Sequence, residues 1–223
     1  MVTKETYHLS PTPLIPNSPY PLIHYRNLLA DPSSRRLSTI NALYAGNGWQ
    51  TQWIFRYGAT QRAHYHSATH ECMAVLSGTA TIRFGAGDTD ADMEANTHGA
   101  AFEPDCGVEV RAEAGDVFII PAGVSHKTFD TKGPDGEESV FRLLTPGDGH
   151  KLDVAEEDGV SEALDRIQLT GFTMMGAYPV GGVWDFAEGG EHSGKEAAVW
   201  SVPRPVRDPV LGDDQDGVCG VWK

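Results

Sequence analysis

The sequence predicts an all-β domain built as a sandwich or barrel, and three observations lead there. From residue 49 the apolar side chains alternate, with Trp53, Phe55 and Tyr57 interleaved with Ile54 and Arg56. A period of two puts successive side chains on opposite faces of a strand. Similar short runs recur at 71–76, 79–84, 108–112, 117–120 and 139–144, most of them separated by Gly or Pro turns. Short strands with turns between them, rather than strands alternating with helices, mark a sandwich or barrel. Finally, 223 residues of which 40% are hydrophobic can bury about 70% of the extended-chain surface in one core, but two full domains would be cramped.

In chain order, residues 1–48 read as an N-terminal arm and helix. Six of the 14 prolines lie in the first 32 residues, so the stretch SPTPLIPNSPYPL at 10–22 reads as an extended arm. A helix is expected next, started by Asp31-Pro32, carrying Leu37, Ile40, Leu43 and Tyr44 at helical spacing and stopped by Gly46-Asn47-Gly48. Residues 49–145 form the expected barrel core. Within it, 85–107 has no Lys or Arg and reads as a solvated surface loop. Residues 146–223 read as a short helix near 159–168 and a Gly-, Pro- and Trp-rich extension that wraps the barrel and completes the same domain.

Composition excludes some functions. Seventeen Lys and Arg against 31 Asp and Glu give a formal charge of −14, which repels nucleic-acid phosphates and anionic lipid, so neither a nucleic acid nor a membrane is an expected partner. No apolar run approaches the ~20 residues of a spanning helix. Three scattered cysteines, Cys72, Cys106 and Cys219, suit neither a disulfide framework nor a thiolate zinc site. A reducing, cytoplasmic location is the simplest expectation.

The chemistry lies in the histidines. His64-Tyr65-His66 on a strand would place two imidazoles one pleat apart on one face, close enough to share a metal ion. Glu71 follows five residues after His66, with Ser67-Ala68-Thr69 to bend the chain, and His126 follows the turn Pro121-Ala122-Gly123. His70, next to Glu71, should face the other way, and Cys72 reads as a packed thiol. His98 reads as solvated, and the loose alternation Asp88, Asp90, Asp92, Glu94 does not meet the EF-hand pattern. Trp53, Phe55 and Tyr57 read most simply as barrel packing, and Tyr178, Trp184 and Asp185 as anchors of the tail.

Five residues separate Gly58 from His64, one separates His64 from His66, four separate His66 from Glu71 and six separate Glu71 from Gly78. Five separate Gly115 from Pro121, one separates Pro121 from Gly123 and two separate Gly123 from His126. The segments GATQRAHYHSATHECMAVLSG and GDVFIIPAGVSH resemble the two motifs of the cupin superfamily. The one departure is Asp130, at a position where that pattern has Asn. The arm, HYHSATHE, GAYPVGGVWD and the ending AVWSVPRPVRDPVLGDD further resemble small single-domain cupins of bacteria and fungi with no assigned reaction. The resemblance implies a single jelly-roll β-barrel with an extended N-terminal arm, one or two short helices and a tail wrapped on the barrel. It also implies that His64, His66, Glu71 and His126 bind one divalent transition metal ion. Three imidazoles and a carboxylate do not choose among Mn, Fe, Ni, Zn, Cu or Co.

Such a site leads to the expectation of a metal-dependent enzyme on a small polar metabolite, with oxidoreductase, dioxygenase-like chemistry placed first. The alternatives are a metal-dependent isomerase, cyclase or lyase, and a non-catalytic small-molecule-binding cupin. Arg56, Asp130, Tyr178 and Asp185 are the candidate catalytic residues. A homodimer is expected, because the arm offers backbone groups that an edge strand could pair.

Overall fold

Two antiparallel sheets face each other in the computed structural model, which describes residues 3–147 and 157–223. The larger sheet has seven strands and the smaller has three. In chain order the elements are β1 (Lys4–Tyr7), β2 (Leu22–Tyr25), α1 (Leu37–Gly46), β3 (Trp49–Arg56), β4 (Glu71–Ser77), β5 (Thr79–Phe84), α2 (Met93–Thr97), β6 (Val108–Glu113), β7 (Val117–Ile120), β8 (His126–Lys132), β9 (Arg142–Leu143), α3 (Glu157–Asp165), β10 (Thr173–Pro179), α4 (Glu196–Trp200) and α5 (Val218–Val221). The large sheet runs β1-β2-β7-β4-β10-β3-β9 and the small one β6-β5-β8. This is the expected all-β jelly-roll, with only short helices.

Both faces of the large sheet are covered, which is why every residue of β4 is buried. Alternation sorts them: Met73 and Val75 face the small sheet and pack with Ile82, Phe84, Phe118 and Met174. Cys72, Ala74 and Leu76 face outward under α1, α3 and the C-terminal residues Val218 and Trp222. Trp222 donates from its indole to the Pro21 carbonyl, tying the chain end to the start of β2.

Several expectations need correction. The segment 1–48 does not stay outside the barrel: on either side of the extended stretch at 10–22, β2 is hydrogen-bonded into the large sheet beside β7, and β1 pairs with β2. β10 lies between β4 and β3 in the middle of that sheet, so the sheet takes strands from both sides of 49–145. β8 is a full strand that its polar sequence, HKTFDTK, hides, and the run at 139–144 shrinks to the two residues of β9. The first helix begins at Leu37, because Asp31–Ser34 instead close a turn, the Ser34 amide donating to the Asp31 carbonyl. The 159–168 helix spans Glu157–Asp165; residues 148–156 lie outside the described residues.

The 85–107 segment is more ordered than a solvated loop. It carries α2, whose carbonyls at Asn96 and Thr97 accept from the buried Arg83 guanidinium. Its Asp88 carboxylate accepts from Lys127 at 3.0 Å, a pair almost wholly withdrawn from water. Among the described residues no helix is long and apolar enough to cross a membrane.

Candidate metal centre

The four motif side chains are delivered by two structural devices. Glu71 opens β4 and His126 opens β8, so each projects inward from the end of a strand in one of the two sheets. The HxH segment is not a regular strand. It is held by single bridges, His64 to His126 and Tyr65 to Ala187, and these suffice to keep His64 and His66 on one side with Tyr65 on the other. The turns are set by glycine. Gly78 has φ +74°, and a Cβ there would lie 2.2 Å from the Lys132 carbonyl oxygen; Gly123 has φ +88° and would meet the Asn17 carbonyl at 2.5 Å. Only glycine fits such positions without displacing backbone.

One ring nitrogen from each of His64, His66 and His126 lies within 4.8 Å of the others. The Glu71 Oε2 is 3.6 Å from His66 Nε2 and 3.3 Å from His126 Nε2. Two donor atoms each ~2.1 Å from one ion at tetrahedral or octahedral angles stand ~3.0–3.4 Å apart; the Glu71–His126 spacing falls in that range and the Glu71–His66 spacing is slightly longer, so small side-chain shifts bring them to a common cation. The tautomers fit as well. His64 Nδ1–H donates to the Arg62 carbonyl at 3.1 Å, and His66 Nδ1–H donates to the Asp185 carbonyl. Both Nε2 atoms thereby keep their lone pairs. The other Glu71 oxygen accepts from the Trp53 indole at 3.2 Å, while Oε2 is buried without a hydrogen-bond partner. A buried carboxylate oxygen with no donor beside imidazole nitrogens is what a cation satisfies.

Electrostatics agree. Burial, reinforced by the neighbouring imidazoles, holds His64 well below the ordinary histidine value. Burial also brings His126 down to about 4, against the pull of Glu71. Burial acts the same way on His66, but the Glu71 carboxylate outweighs it and the net shift is upward. Burial raises Glu71, and His66 and His126 reverse this to a net lowering.

The quartet forms the floor of a cavity of about 160 Å³. Trp53, Phe55 and Tyr57, expected to be barrel packing, line it together with Gln52 and Gln61; Phe141, Trp184 and Phe186 stand at its mouth. Phe186 stacks on His64 at 4.3 Å and 14°. Of the four candidate catalytic residues, only Tyr178 lines the cavity, its hydroxyl 3.3 Å from His66 Nε2. Burial raises its pKa, and Glu71 raises it further. Asp185 acts behind the wall: its carboxylate accepts from the amides of Ser67 and Ala68, and its carbonyl orients His66.

Arg56 and Asp130 are not brought to the cavity. Arg56 pairs in register with Arg142, and directly opposed residues share a face; Phe55, its neighbour on the cavity side, pairs with Leu143. Asp130 is at the surface, where its carboxylate accepts from His98 at 2.8 Å. It has φ +52°, a left-handed conformation that Asn and Asp tolerate best, so Asp replaces the motif's Asn without backbone change. His98 is therefore tethered rather than merely solvated. His70 points away from the quartet, its Nδ1 accepting from the Ala122 amide at 2.9 Å and its ring packed against Trp222. Cys72 is buried beneath the Tyr44 hydroxyl.

Both motif segments thus converge inside a two-sheet jelly-roll, with their glycines at its turns. The fold is a two-sheet antiparallel jelly-roll, the fold that the resemblance of the two motifs implies. No model of a known protein family matches the sequence. The chain is 27% identical over 225 residues to a protein of Bacillus subtilis (strain 168) described as uncharacterized protein YjlB, spanning 98% of this chain and 96% of that one. Among solved structures it is similar to the oxalate decarboxylase of Lactobacillus farciminis in a formate complex, at 12% identity and a TM-score of 0.30, over 61% of this chain and 27% of that one. It is also similar to RmlC of Streptococcus suis in complex with dTDP-D-xylose, at 11% identity and a TM-score of 0.32, over 83% and 74% of the two chains. The chain spans about a quarter of the oxalate decarboxylase's length.

Proposed function

We propose that this cupin is a metal-dependent oxidoreductase in which His64, His66, Glu71 and His126 hold one divalent transition metal ion and a small molecule enters through the aromatic mouth. The observation that carries the reading is the orphaned Glu71 oxygen facing the imidazole Nε2 atoms at the floor of a cavity. When bound, the ion supplies Lewis acidity and a redox couple. The protein's part is to hold His64 and His126 neutral by burial, to fix the orientation of His64 and His66 through the Arg62 and Asp185 carbonyls, and to keep water from the apolar walls.

Dioxygenase-like chemistry is favoured over isomerase, cyclase or lyase chemistry by what else lines the cavity. Proton-transfer reactions need an acid and a base with pKa values near the working pH. Beyond the quartet, the titratable groups in the described lining are Tyr57 and Tyr178, both raised by burial and Glu71. With O2 as oxidant and both its atoms entering the product, no such pair is required. A non-catalytic binder would keep the metal and the cavity but show no turnover.

The test is elemental analysis of untagged protein followed by O2-uptake screening. One metal per chain and one O2 consumed per substrate, with label from 18O2 in the product, would support the reading. Full metal loading with no turnover on any catechol, flavonol or keto-acid would favour the binding alternative. A homodimer is part of the proposal, and light scattering at micromolar concentration tests it. To the backbone of the arm at 10–22 the structure adds a second basis, the two-residue β9 at an open sheet edge beside the exposed Phe141.

A further inference from the structure

The cavity wall has a composition that the metal reading does not require. Of its thirteen lining residues, four are the quartet, two are glutamines and seven are aromatic. Among the described residues no Lys or Arg lines it. Arg62 donates to the carbonyls of Asp90 and Ala91, and the register of β3 with β9 puts Arg56 and Arg142 on the opposite face. A carboxylate or phosphate placed in this wall would be desolvated with no counter-charge. A flat ring meets the opposite situation. Trp53 and Phe55 are stacked at 4.9 Å and 16°, Phe141 leans on Phe55 at 5.8 Å, and Phe186 is nearly parallel to His64. The size agrees, since an apolar cavity of about 150 Å³ accommodates benzene and this one is about 160 Å³. One polar feature adds direction: Gln61 lines the wall, and its Nε2 is enclosed without a hydrogen-bond partner, so a turn of the side chain toward the cavity lets it donate to a ligand oxygen.

We propose that the substrate is a single-ring aromatic compound with neighbouring oxygen atoms and an uncharged body, its ring held among Trp53, Phe55 and Phe186 and one oxygen accepting from Gln61. This narrows the expected small polar metabolite, and it rests on the metal reading only for the oxygen end of the molecule. Gln61 and the aromatic wall are specificity determinants.

The experiment is equilibrium binding by tryptophan fluorescence and calorimetry to protein whose metal content is measured in the same sample. The probes are catechol, 2-oxoglutarate, phenol and cyclohexanol. Catechol should bind metal-loaded protein at least about tenfold more tightly than 2-oxoglutarate, whose second carboxylate would lie unpaired. Phe141→Ala, at an exposed rim position, should weaken catechol about three- to tenfold with unchanged metal content, the range of one aromatic contact. Gln61→Leu should weaken phenol as well as catechol. If 2-oxoglutarate binds as tightly as catechol, or Phe141→Ala and Gln61→Leu both leave catechol unaffected, the substrate class is wrong while the metal reading stands. If the protein takes up no metal, the metal reading fails, and the comparison of phenol with cyclohexanol on metal-free protein decides the ring alone: equal binding overturns it.

Discussion

Gly176 is a test of how the barrel places the candidate site. It lies in β10, opposite Trp53 of β3, at a shift in strand register. A Cβ built on Gly176 would stand 2.0 Å from Trp53 Cε2 and 2.4 Å from its Nε1. Gly176 does not have a positive φ, so Ala is permitted by the backbone, and in a strand it would ordinarily stabilise by about 0.5–1 kcal/mol. The opposite sign is expected here. The indole is buried and must move by more than an ångström, which costs about 1–3 kcal/mol in overpacking. Its movement also breaks the Trp53–Glu71 hydrogen bond, and a bond to a charged group contributes about 1.5–3 kcal/mol. Gly176→Ala should therefore destabilise by about 2–5 kcal/mol, read by urea denaturation, and should lower metal affinity because Glu71 loses its only described donor. Trp53→Ala removes the whole indole, so introducing Gly176→Ala into that background should cost less than about 1 kcal/mol, a coupling visible in a double-mutant cycle. A stability change under about 1 kcal/mol for Gly176→Ala alone, or additive effects in the cycle, would refute the reasoning.

Other expectations follow from the same geometry. His66→Ala should lower metal occupancy and the holo melting temperature, whereas His70→Ala should leave occupancy intact; metal content and melting of both, side by side, decide it. Asp185→Ala removes the acceptor of the Ser67 and Ala68 amides, and loosening the support of a ligating histidine typically weakens metal affinity about 10–100-fold, measurable by chelator competition. Lys127→Ala leaves Asp88 buried without its cation and should cost about 3–5 kcal/mol, checked by thermal and urea melts. Burial holds His70 at about 4, below its ordinary 6.5. The unfolded chain therefore binds the extra proton first, and stability should fall as pH drops from about 6.5 toward 4, by about 3 kcal/mol for the full shift. His70→Gln, which keeps an acceptor for the Ala122 amide, should reduce that slope in melts taken across this range, the remainder coming from His64 and His126, which burial also lowers.

The local chain determined the elements whose evidence is local. Period-two runs at 71–76, 79–84, 108–112 and 117–120 became β4 to β7 within a residue or two, because alternation and turn glycines act over a few residues. Part of the quartet was legible for the same reason. Spacing in a strand is a distance, so His64 and His66 could be read as neighbours before any fold was known, with Glu71 within reach round a bend; that His126 joins them was what the resemblance to cupin motifs implied. Asp130 could be noted as a departure, but not explained, because a left-handed φ is a property of the folded turn. β8 was invisible: its polar residues are buried by the elements packed over it, and Lys127 is tolerated only because Asp88 meets it. β2 and β10 enter the large sheet from opposite ends of the chain, and strand pairing over such separations leaves no periodic trace. Tertiary structure alone decided the rest of the site. It turned Trp53, Phe55 and Tyr57 toward the cavity, removed Arg56 and Asp130 from it, and laid the Asp185 carbonyl against His66. Each depends on which face of one element meets a distant element, and that contact is a free-energy property of the assembled core rather than of any segment in it.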